Sequence, residues 1–174
     1  MAGSGGTPIL ESVSDTALLV AYHRAMESAR PDALFHDPYA ERLAGDRGEE
    51  IARRLRWGKR MAWSTITRTV LIDEIVLRLV GEGVETVLNL AAGFDSRPYR
   101  LPLLPSLRWV EMDLPPLTAA KIELLKDEKP RCQLERVSVN LADFSERQGA
   151  FAEQAGRQDE ESARPDGRSA DLPP

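Results

Sequence analysis

The stretch Asn89-Leu-Ala-Ala-Gly-Phe-Asp-Ser-Arg-Pro-Tyr-Arg100 decides the fold, and it lies directly behind an apolar run. The run has the length of a strand and ends in a turn of small residues, which then opens into a helix. Asp95 or Ser96 can cap that helix, and Pro98 falls in its first turn, where the missing N–H of proline costs nothing. Backbone N–H groups at such a helix N-terminus allow a cofactor to approach closely.

The hydrophobic pattern around this turn predicts alternating strands and helices. Apolar runs of strand length cover 86–91, 108–113 and 134–139, and a helix is expected over 117–125. Together with the helix after the first strand, these elements form a βαβαβ unit. We therefore expect a parallel sheet with right-handed crossovers.

The region before this unit is helical in pattern. Behind a loose arm rich in glycine and serine, helices are predicted over 14–28, 39–43, 49–55 and 63–80. We therefore interpret residues 1–83 as an arm with a helical cap.

The region after residue 145 is polar. Phe151 and Leu172 are its only large apolar residues. Such a segment cannot bury enough surface to offset its ordering entropy. The sequence thus predicts a strand-rich unit over 84–145 and a disordered tail over 146–174, with room for a short helix near Phe151.

Composition excludes several classes of function. The 174 residues, 42% hydrophobic and 29% charged, fit one globular domain. A net charge of -5 argues against a nucleic-acid partner. The single cysteine, Cys132, fits a reducing cytoplasm, and two scattered histidines make no metal site. There is no signal-peptide pattern and no apolar run near the roughly 18 residues that cross a membrane, so we expect a cytoplasmic protein.

The spacing of a glycine and an acid indicates a cofactor site. Gly93 comes after the first strand, and Asp113 ends the second strand 20 positions later, as in dinucleotide-binding folds where the acid accepts bonds from ribose hydroxyls. Glu111 shares a strand face with Asp113, so either acid could face the ribose. A plain glycine turn with a solvated acid fits the bare spacing equally well. Ala91 and Ala92 precede a single glycine, which disfavours a nicotinamide cofactor because a pyrophosphate needs more bare backbone.

Four motifs resemble one family. The stretch 89–100 and Glu111-Met-Asp-Leu-Pro115 closely resemble the leucine carboxyl methyltransferase-like family of class I S-adenosylmethionine-dependent methyltransferases, which includes bacterial O-methyltransferases of polyketide pathways. The segment 28–45 is similar to that family's N-terminal helical cap, and 67–73 to its segment before the first strand. The resemblance runs from about residue 13 to 145. It implies an α/β fold: the N-terminal half of a Rossmann-like class I methyltransferase fold with a helical cap.

The C-terminal part of the sequence departs from the pattern of the family. The family continues with a fourth strand, a Glu-Gly turn that contributes to the active site, and the rest of a seven-stranded sheet. In this chain the sequence turns polar instead, which predicts a chain truncated at the C-terminus.

The resemblance assigns a cofactor, S-adenosyl-L-methionine, and seven residues that bind it: Arg68, Ala92, Gly93, Phe94, Asp113, Asn140 and Leu141. It implies that Gly93 and its two neighbours lie against the methionine part of the cofactor. Arg68 would bind the cofactor carboxylate, which suits a planar bidentate donor, and Asp113 would bind the ribose. Asn140 and Leu141 stand where the family usually has Asp-Leu against adenine; asparagine keeps a carbonyl acceptor but lacks the charge.

The expected function is therefore methyl transfer from this cofactor to a carboxylate or hydroxyl of a small molecule. The methyl acceptor, the catalytic residues and the oligomeric state stay open, and the truncation predicts little or no activity for the chain alone. A non-catalytic cofactor-binding fragment is the alternative, and a nicotinamide-binding domain is a weaker one.

Overall fold

Three parallel strands form the sheet of the computed structural model, which describes residues 13–55 and 58–162. The strands are β1 (Thr86–Leu90), β2 (Arg108–Asp113) and β3 (Gln133–Ser138), and β2 lies in the middle. In register, Val87 lies beside Trp109, and Trp109 beside Leu134. The parallel βαβαβ unit predicted from the sequence is confirmed.

The described residues contain six helices. They are α1 (Val13–Ser28), α2 (Ala40–Arg54), α3 (Gly58–Gly81), α4 (Arg97–Arg100), α5 (Pro115–Leu124) and α6 (Phe144–Ser162). The two short helices predicted in the place of α2 are two pieces joined by a kink at Gly45. The φ of 54° and ψ of -174° at Gly45 lie in a region of backbone angles that residues other than glycine rarely adopt.

The helical cap and the sheet unit share a core. Leu43 of α2 and Ala21 of α1 are fully buried in one apolar cluster with Phe94 and Tyr99, which come after β1 in the chain. The helices α1 and α2 approach closely at Gly48, where a Cβ atom would lie 2.9 Å from the carbonyl oxygen of Leu18. The cap is therefore packed against the turn at the end of β1.

Helix α3 covers one face of the sheet. Its residues Val76, Leu77 and Val80 pack in the same apolar cluster as Val87 of β1 and Trp109 of β2. The side chains at alternate positions of the strands point to the opposite face.

Helix α6 covers that opposite face, so the prediction of a disordered tail is wrong for residues 146–162. Ala150 and Phe151 pack with Val110 and Met112 of β2. Gln154 is buried and donates a hydrogen bond of 3.2 Å to Glu135 of β3. One aromatic, one small and one polar residue contribute to these contacts, together with an ion pair between Arg157 and Glu135, and a count of large apolar residues does not reveal them.

The terminal segments 1–12 and 163–174 lie outside the described residues, and the latter includes the rest of the predicted tail. Within 13–55 and 58–162, no helix combines the length and the apolar character that a membrane span requires.

Candidate functional site

The turn after β1 holds an unusual backbone. Gly93 has a φ of 50°, and Ala91 has a φ of 51°, although a residue with a Cβ atom rarely enters this left-handed region. The Gly93 amide donates a hydrogen bond to Oδ2 of Asp113, and the Leu114 amide donates one of 2.7 Å to Oδ1 of the same carboxylate. The end of β2 thus fixes the turn at the end of β1.

A cavity of about 410 Å³ opens above this turn, at the carboxyl ends of β1 and β2; we call it the strand-end cavity. Its lining comes from three parts of the chain. Helix α1 contributes Thr16, Ala17, Val20 and Arg24; helix α3 contributes Arg68, Thr69 and Ile72; the ends of β1 and β2, with the start of α4 and of α5, contribute 89–95, Arg97, Asp113 and Leu117.

Five of the seven residues assigned from the sequence line the strand-end cavity. They are Arg68, Ala92, Gly93, Phe94 and Asp113. A Cβ atom added at Gly93 would lie 3.3 Å from the Cβ of Ala17, so the turn passes close under α1. A side chain at this position would therefore be disfavoured by the φ and crowded by Ala17.

Asn140 and Leu141 do not line the strand-end cavity. The side-chain oxygen of Asn140 accepts a hydrogen bond of 3.1 Å from the backbone N–H of Ala142. The backbone N–H of Asn140 donates one of 2.8 Å to the carboxylate of Glu146. These bonds form the entry to α6. Leu141 packs against the cluster around Met112 on the face that α6 covers. Both residues are thus engaged in starting α6.

The structure separates the two acids at the end of β2. Asp113 lines the strand-end cavity, whereas Glu111 is absent from its lining among the described residues. Glu111 is 3% exposed and accepts bonds of 2.6 Å from Lys121 and 3.0 Å from Arg136. Burial raises the pKa of Glu111, and the charges of Lys121 and Arg136 oppose that shift. The position facing the cavity is therefore that of Asp113.

A buried arginine joins the cap to the turn. Arg24 donates a hydrogen bond of 2.8 Å from Nε to Asp37 and one of 2.6 Å from Nη2 to the carbonyl oxygen of Phe94. The hydroxyl of Ser96 donates to the same Asp37 carboxylate. Because the Asp37 side chain is 0% exposed, this charge pair is shielded from water. It holds the turn against α1.

A second group of charges fixes the other side of the turn. Asp95 accepts bonds of 2.5 Å from Arg97 and 3.0 Å from Asn89, and Arg97 also donates one of 2.7 Å to Asp73 of α3. Burial by itself raises the pKa of Asp95, but the positive charges of Arg97, Lys121 and Arg24 outweigh it and hold the pKa well below its usual value. The Asp95 carboxylate is therefore ionised at neutral pH.

Arg68 differs from these arginines. It lies on the exposed surface of α3 at the mouth of the strand-end cavity. Within the part of the chain that the structure describes, it has no hydrogen bond and no ion pair. Its guanidinium group is thus available to an anion that enters the cavity.

Sequence reasoning missed the parts that Arg24, Asn89 and Asp95 play in the site. The local pattern marks Asp95 only as a helix cap, and its side chain does accept a hydrogen bond of 2.9 Å from the Arg97 amide. Arg24 contacts a carbonyl group 70 positions away, and no local pattern in α1 marks such a contact. The helical periodicity of α1 indicates only its apolar face.

The fold is that of α/β proteins whose ligands bind at the carboxyl ends of parallel strands. A model of the leucine carboxyl methyltransferase family matches residues 17–162. The chain therefore belongs to this family, as the motifs of the sequence indicated, and its three-stranded sheet is part of a Rossmann-like methyltransferase fold.

Several relatives carry the provisional name of S-adenosyl-L-methionine-dependent methyltransferase. One from Streptomyces coelicolor is 36% identical over 134 residues, which are 71% of this chain and 47% of that protein. One from Frankia alni is 36% identical over 148 residues, 79% of this chain and 51% of that protein. One from Mycobacteroides abscessus is 34% identical over 148 residues, 78% of this chain and 50% of that protein. The chain spans about half the length of these curated relatives.

Proposed function

We propose that the chain binds S-adenosyl-L-methionine in the strand-end cavity and serves methyl transfer to a carboxylate or hydroxyl oxygen of a small molecule. The observation that carries this proposal is that Arg68, Gly93 and Asp113 line one cavity at the carboxyl ends of β1 and β2. The names of the relatives from three bacteria support the same cofactor.

The amino acid part of the cofactor fits the side of the cavity near Arg68. In this proposal the Arg68 guanidinium binds the cofactor carboxylate, since within the described residues it has no partner of its own. The turn from Ala92 to Phe94 lies against the methionine chain, and the φ of Gly93 keeps the backbone clear of it.

The ribose fits the side of the cavity near Asp113. Each carboxylate oxygen of Asp113 already accepts one backbone hydrogen bond, from Gly93 or from Leu114. An ionised carboxylate offers about four acceptor sites, so capacity remains for both ribose hydroxyls. The backbone bonds also hold the carboxylate in place before any ligand arrives, which limits the entropy lost on binding.

Methyl transfer depends mainly on position and on the exclusion of water. The cofactor, when bound, supplies an electrophilic methyl group on a positively charged sulfur. Val20, Phe94 and Leu117 contribute apolar side chains to the lining of the cavity, which favour the exclusion of water once a ligand is bound. Two carboxylates line the cavity. Asp95 is paired with Arg97, and Asp113 accepts bonds from two backbone amides, so we assign neither of them as a general base.

Cofactor binding without catalysis is the second candidate function. It is favoured by the observation that the chain spans about half the length of its curated relatives. A nicotinamide cofactor is a weaker candidate, because the Cβ atoms of Ala91 and Ala92 precede the single glycine of the turn and restrict the approach of a pyrophosphate.

Calorimetric titration of the chain with S-adenosyl-L-methionine and with NAD⁺ tests the proposal. We expect saturable binding of the first at one site and no heat from the second. Preferential binding of NAD⁺ would contradict the cofactor assignment. Release of S-adenosylhomocysteine in the presence of small carboxylic acids and phenols then distinguishes an enzyme from a protein that only binds the cofactor.

A further inference from the structure

Helix α3 carries an exposed aromatic side chain close to the strand-end cavity. Trp63 is 62% exposed, although tryptophan is on average a well-buried residue. Trp109 of β2, by contrast, is 1% exposed. The indole ring of Trp63 is therefore a large apolar surface that the described part of the fold leaves open to a ligand.

Trp63 belongs to an open groove of about 480 Å³ on the surface of α3; we call it the α3 groove. Residues four positions apart in a helix are neighbours, so the lining forms two rows along the helix axis. One row consists of Trp63, Thr67 and Leu71, and the other of Ser64, Arg68 and Ile72. Among these lining residues, Arg68 alone is charged.

The α3 groove is continuous with the strand-end cavity, because Arg68 and Ile72 line both. A molecule that lies on Trp63 can therefore extend past Ile72 to the part of the cavity near Arg68. This is the part that we assign to the methionine portion of the cofactor, whose sulfur carries the reactive methyl group. The α3 groove thus adjoins the place where a methyl acceptor must present its oxygen.

The lining of the α3 groove combines a flat ring with small polar groups. A second ring can stack on the indole of Trp63 with a large contact area, and aromatic pairs favour such offset arrangements. The hydroxyl groups of Ser64 and Thr67 form no hydrogen bond within the described residues, so they are available to polar substituents of a ligand. This combination favours an aromatic molecule with a few polar substituents.

The charges beside the α3 groove distinguish a hydroxyl acceptor from a carboxylate. Three arginines line the strand-end cavity, and two of them already bind carboxylates of the chain: Arg24 binds Asp37, and Arg97 binds Asp95. Only Arg68 remains, and in the proposed function it binds the carboxylate of the cofactor. An acceptor with a carboxylate would then lie beside a second negative charge without a cation of its own, which is unfavourable.

We propose that the α3 groove binds the methyl acceptor, and that this acceptor is an aromatic alcohol whose ring stacks on Trp63. Its neutral hydroxyl group lies beyond Ile72, next to the sulfur of the cofactor. The acceptor oxygen forms its bond to the methyl carbon as the carbon–sulfur bond breaks and leaves its electron pair on the sulfur, and the hydroxyl proton passes to water. This assignment rests on the proposed function of the strand-end cavity.

Calorimetric titration with two naphthalene derivatives tests the ligand class. We expect 2-naphthol, a two-ring aromatic alcohol, to bind at one site both without cofactor and with saturating S-adenosylhomocysteine, which has the carboxylate of the cofactor but no methyl group to transfer. 2-Naphthoate has the same rings and a carboxylate. Saturating S-adenosylhomocysteine should weaken its binding at least tenfold, because it occupies Arg68 and repels the second carboxylate.

Variants at Trp63 locate the binding site of 2-naphthol. Trp63→Ala should weaken the binding at least fivefold, and Trp63→Phe, which keeps an aromatic ring, should restore most of it. Phe144→Ala is the matched control, because Phe144 is 63% exposed on α6 and lies outside both linings. The affinity for S-adenosyl-L-methionine should be unchanged in Trp63→Ala, and circular dichroism checks that each variant keeps its fold.

The outcomes separate the α3 groove from the cofactor site. If the parent chain does not bind S-adenosyl-L-methionine, the proposed function fails, and the acceptor role of the groove fails with it. If the parent binds this cofactor but not 2-naphthol, or if Trp63→Ala binds 2-naphthol as the parent does, the α3 groove alone is wrongly assigned. Equal binding of 2-naphthol and 2-naphthoate beside S-adenosylhomocysteine would contradict the neutral acceptor. A homodimer of the chain that Trp63→Ala dissociates would assign the groove to a second copy.

Discussion

The Asp113 carboxylate accepts a hydrogen bond from the Gly93 amide across 20 positions of sequence. The bond joins the end of β2 to the turn after β1, and both residues line the strand-end cavity. The acid that we propose for the ribose is therefore held by the same turn that we propose for the methionine chain. A change at either residue alters both parts of the cavity.

Replacing Arg68 should weaken cofactor binding without changing stability. Arg68→Ala removes a charge-assisted contact, and we expect a loss of about 1.5 kcal/mol, roughly tenfold in Kd. The free energy of unfolding should stay within about 0.5 kcal/mol, as for other surface positions. Calorimetry and urea denaturation measure the two quantities.

A ligand without a carboxylate provides the control for Arg68. Methylthioadenosine keeps the adenosine and sulfur of the cofactor but has no amino acid carboxylate. It should bind the parent chain and Arg68→Ala equally well. If the substitution weakens the binding of methylthioadenosine and of S-adenosyl-L-methionine to the same degree, Arg68 does not bind the carboxylate.

Replacing Arg24 should reduce stability severely. Arg24→Met removes the nearer charge partner of the Asp37 carboxylate, which is 0% exposed, and leaves only the guanidinium of Arg100 at 3.9 Å. Removal of one member of a buried ion pair costs about 3–5 kcal/mol. Urea denaturation at neutral pH measures this loss, and Arg42→Met, which removes a half-exposed partner of Glu128, should cost far less. Equal losses for the two variants would show that Arg24 does not organise the turn.

Asp95 should contribute to the loss of stability in acid. Its pKa in the folded chain is lower than in the unfolded chain, because Arg97 and other positive groups outweigh the effect of burial. The stabilisation is therefore present above the unfolded pKa, about 4, and is lost as the pH falls further toward the folded value. Asp95→Asn should lower the free energy of unfolding at pH 7 and flatten its decline below about pH 5. If the free energy of unfolding of the variant declines below about pH 5 as steeply as that of the parent chain, Asp95 does not contribute to the loss of stability in acid.

Ala91 offers a test of backbone strain. Its φ of 51° costs a residue with a Cβ atom about 1–2 kcal/mol. Ala91→Gly should remove that cost. Glycine loses more conformational entropy on folding, which offsets part of the gain, so the melting temperature should rise only slightly. The neighbouring Ala92→Gly is the control and should lower it, since Ala92 is buried and has no positive φ. A decrease for both variants would show that the turn is not strained at Ala91.

Local patterns predicted the elements, because strand and helix periods leave a direct record in the order of apolar residues. The parallel sheet was predicted from their alternation, and the match of motifs around Gly93 and Asp113 indicated the family. For α6 the sequence allowed only a short helix near Phe151 within a disordered tail, because its full length depends on tertiary contacts such as those of Ala150 and Gln154. Such contacts depend on which surface the folded sheet presents, and the local sequence does not contain that information.

The same reason explains which site residues escaped prediction from the sequence. Arg24 acts on the turn through a contact between distant segments. Asn140 and Leu141 were assigned from motif position, whereas the structure engages both in the entry to α6. Their part in binding adenine stays a prediction, and the described lining of the strand-end cavity does not include them.

The affinity of the chain for S-adenosyl-L-methionine, measured by calorimetry for the parent and for Asp113→Ala, tests the proposed cavity most directly. We expect one site on the parent chain and a loss of about 1–3 kcal/mol in the variant, since ribose hydroxyls would be left without an acceptor. Asp127→Ala, at an exposed position after α5, should bind as the parent does. Equal affinity of the parent and Asp113→Ala, or no binding to either, would contradict the strand-end cavity as the cofactor site.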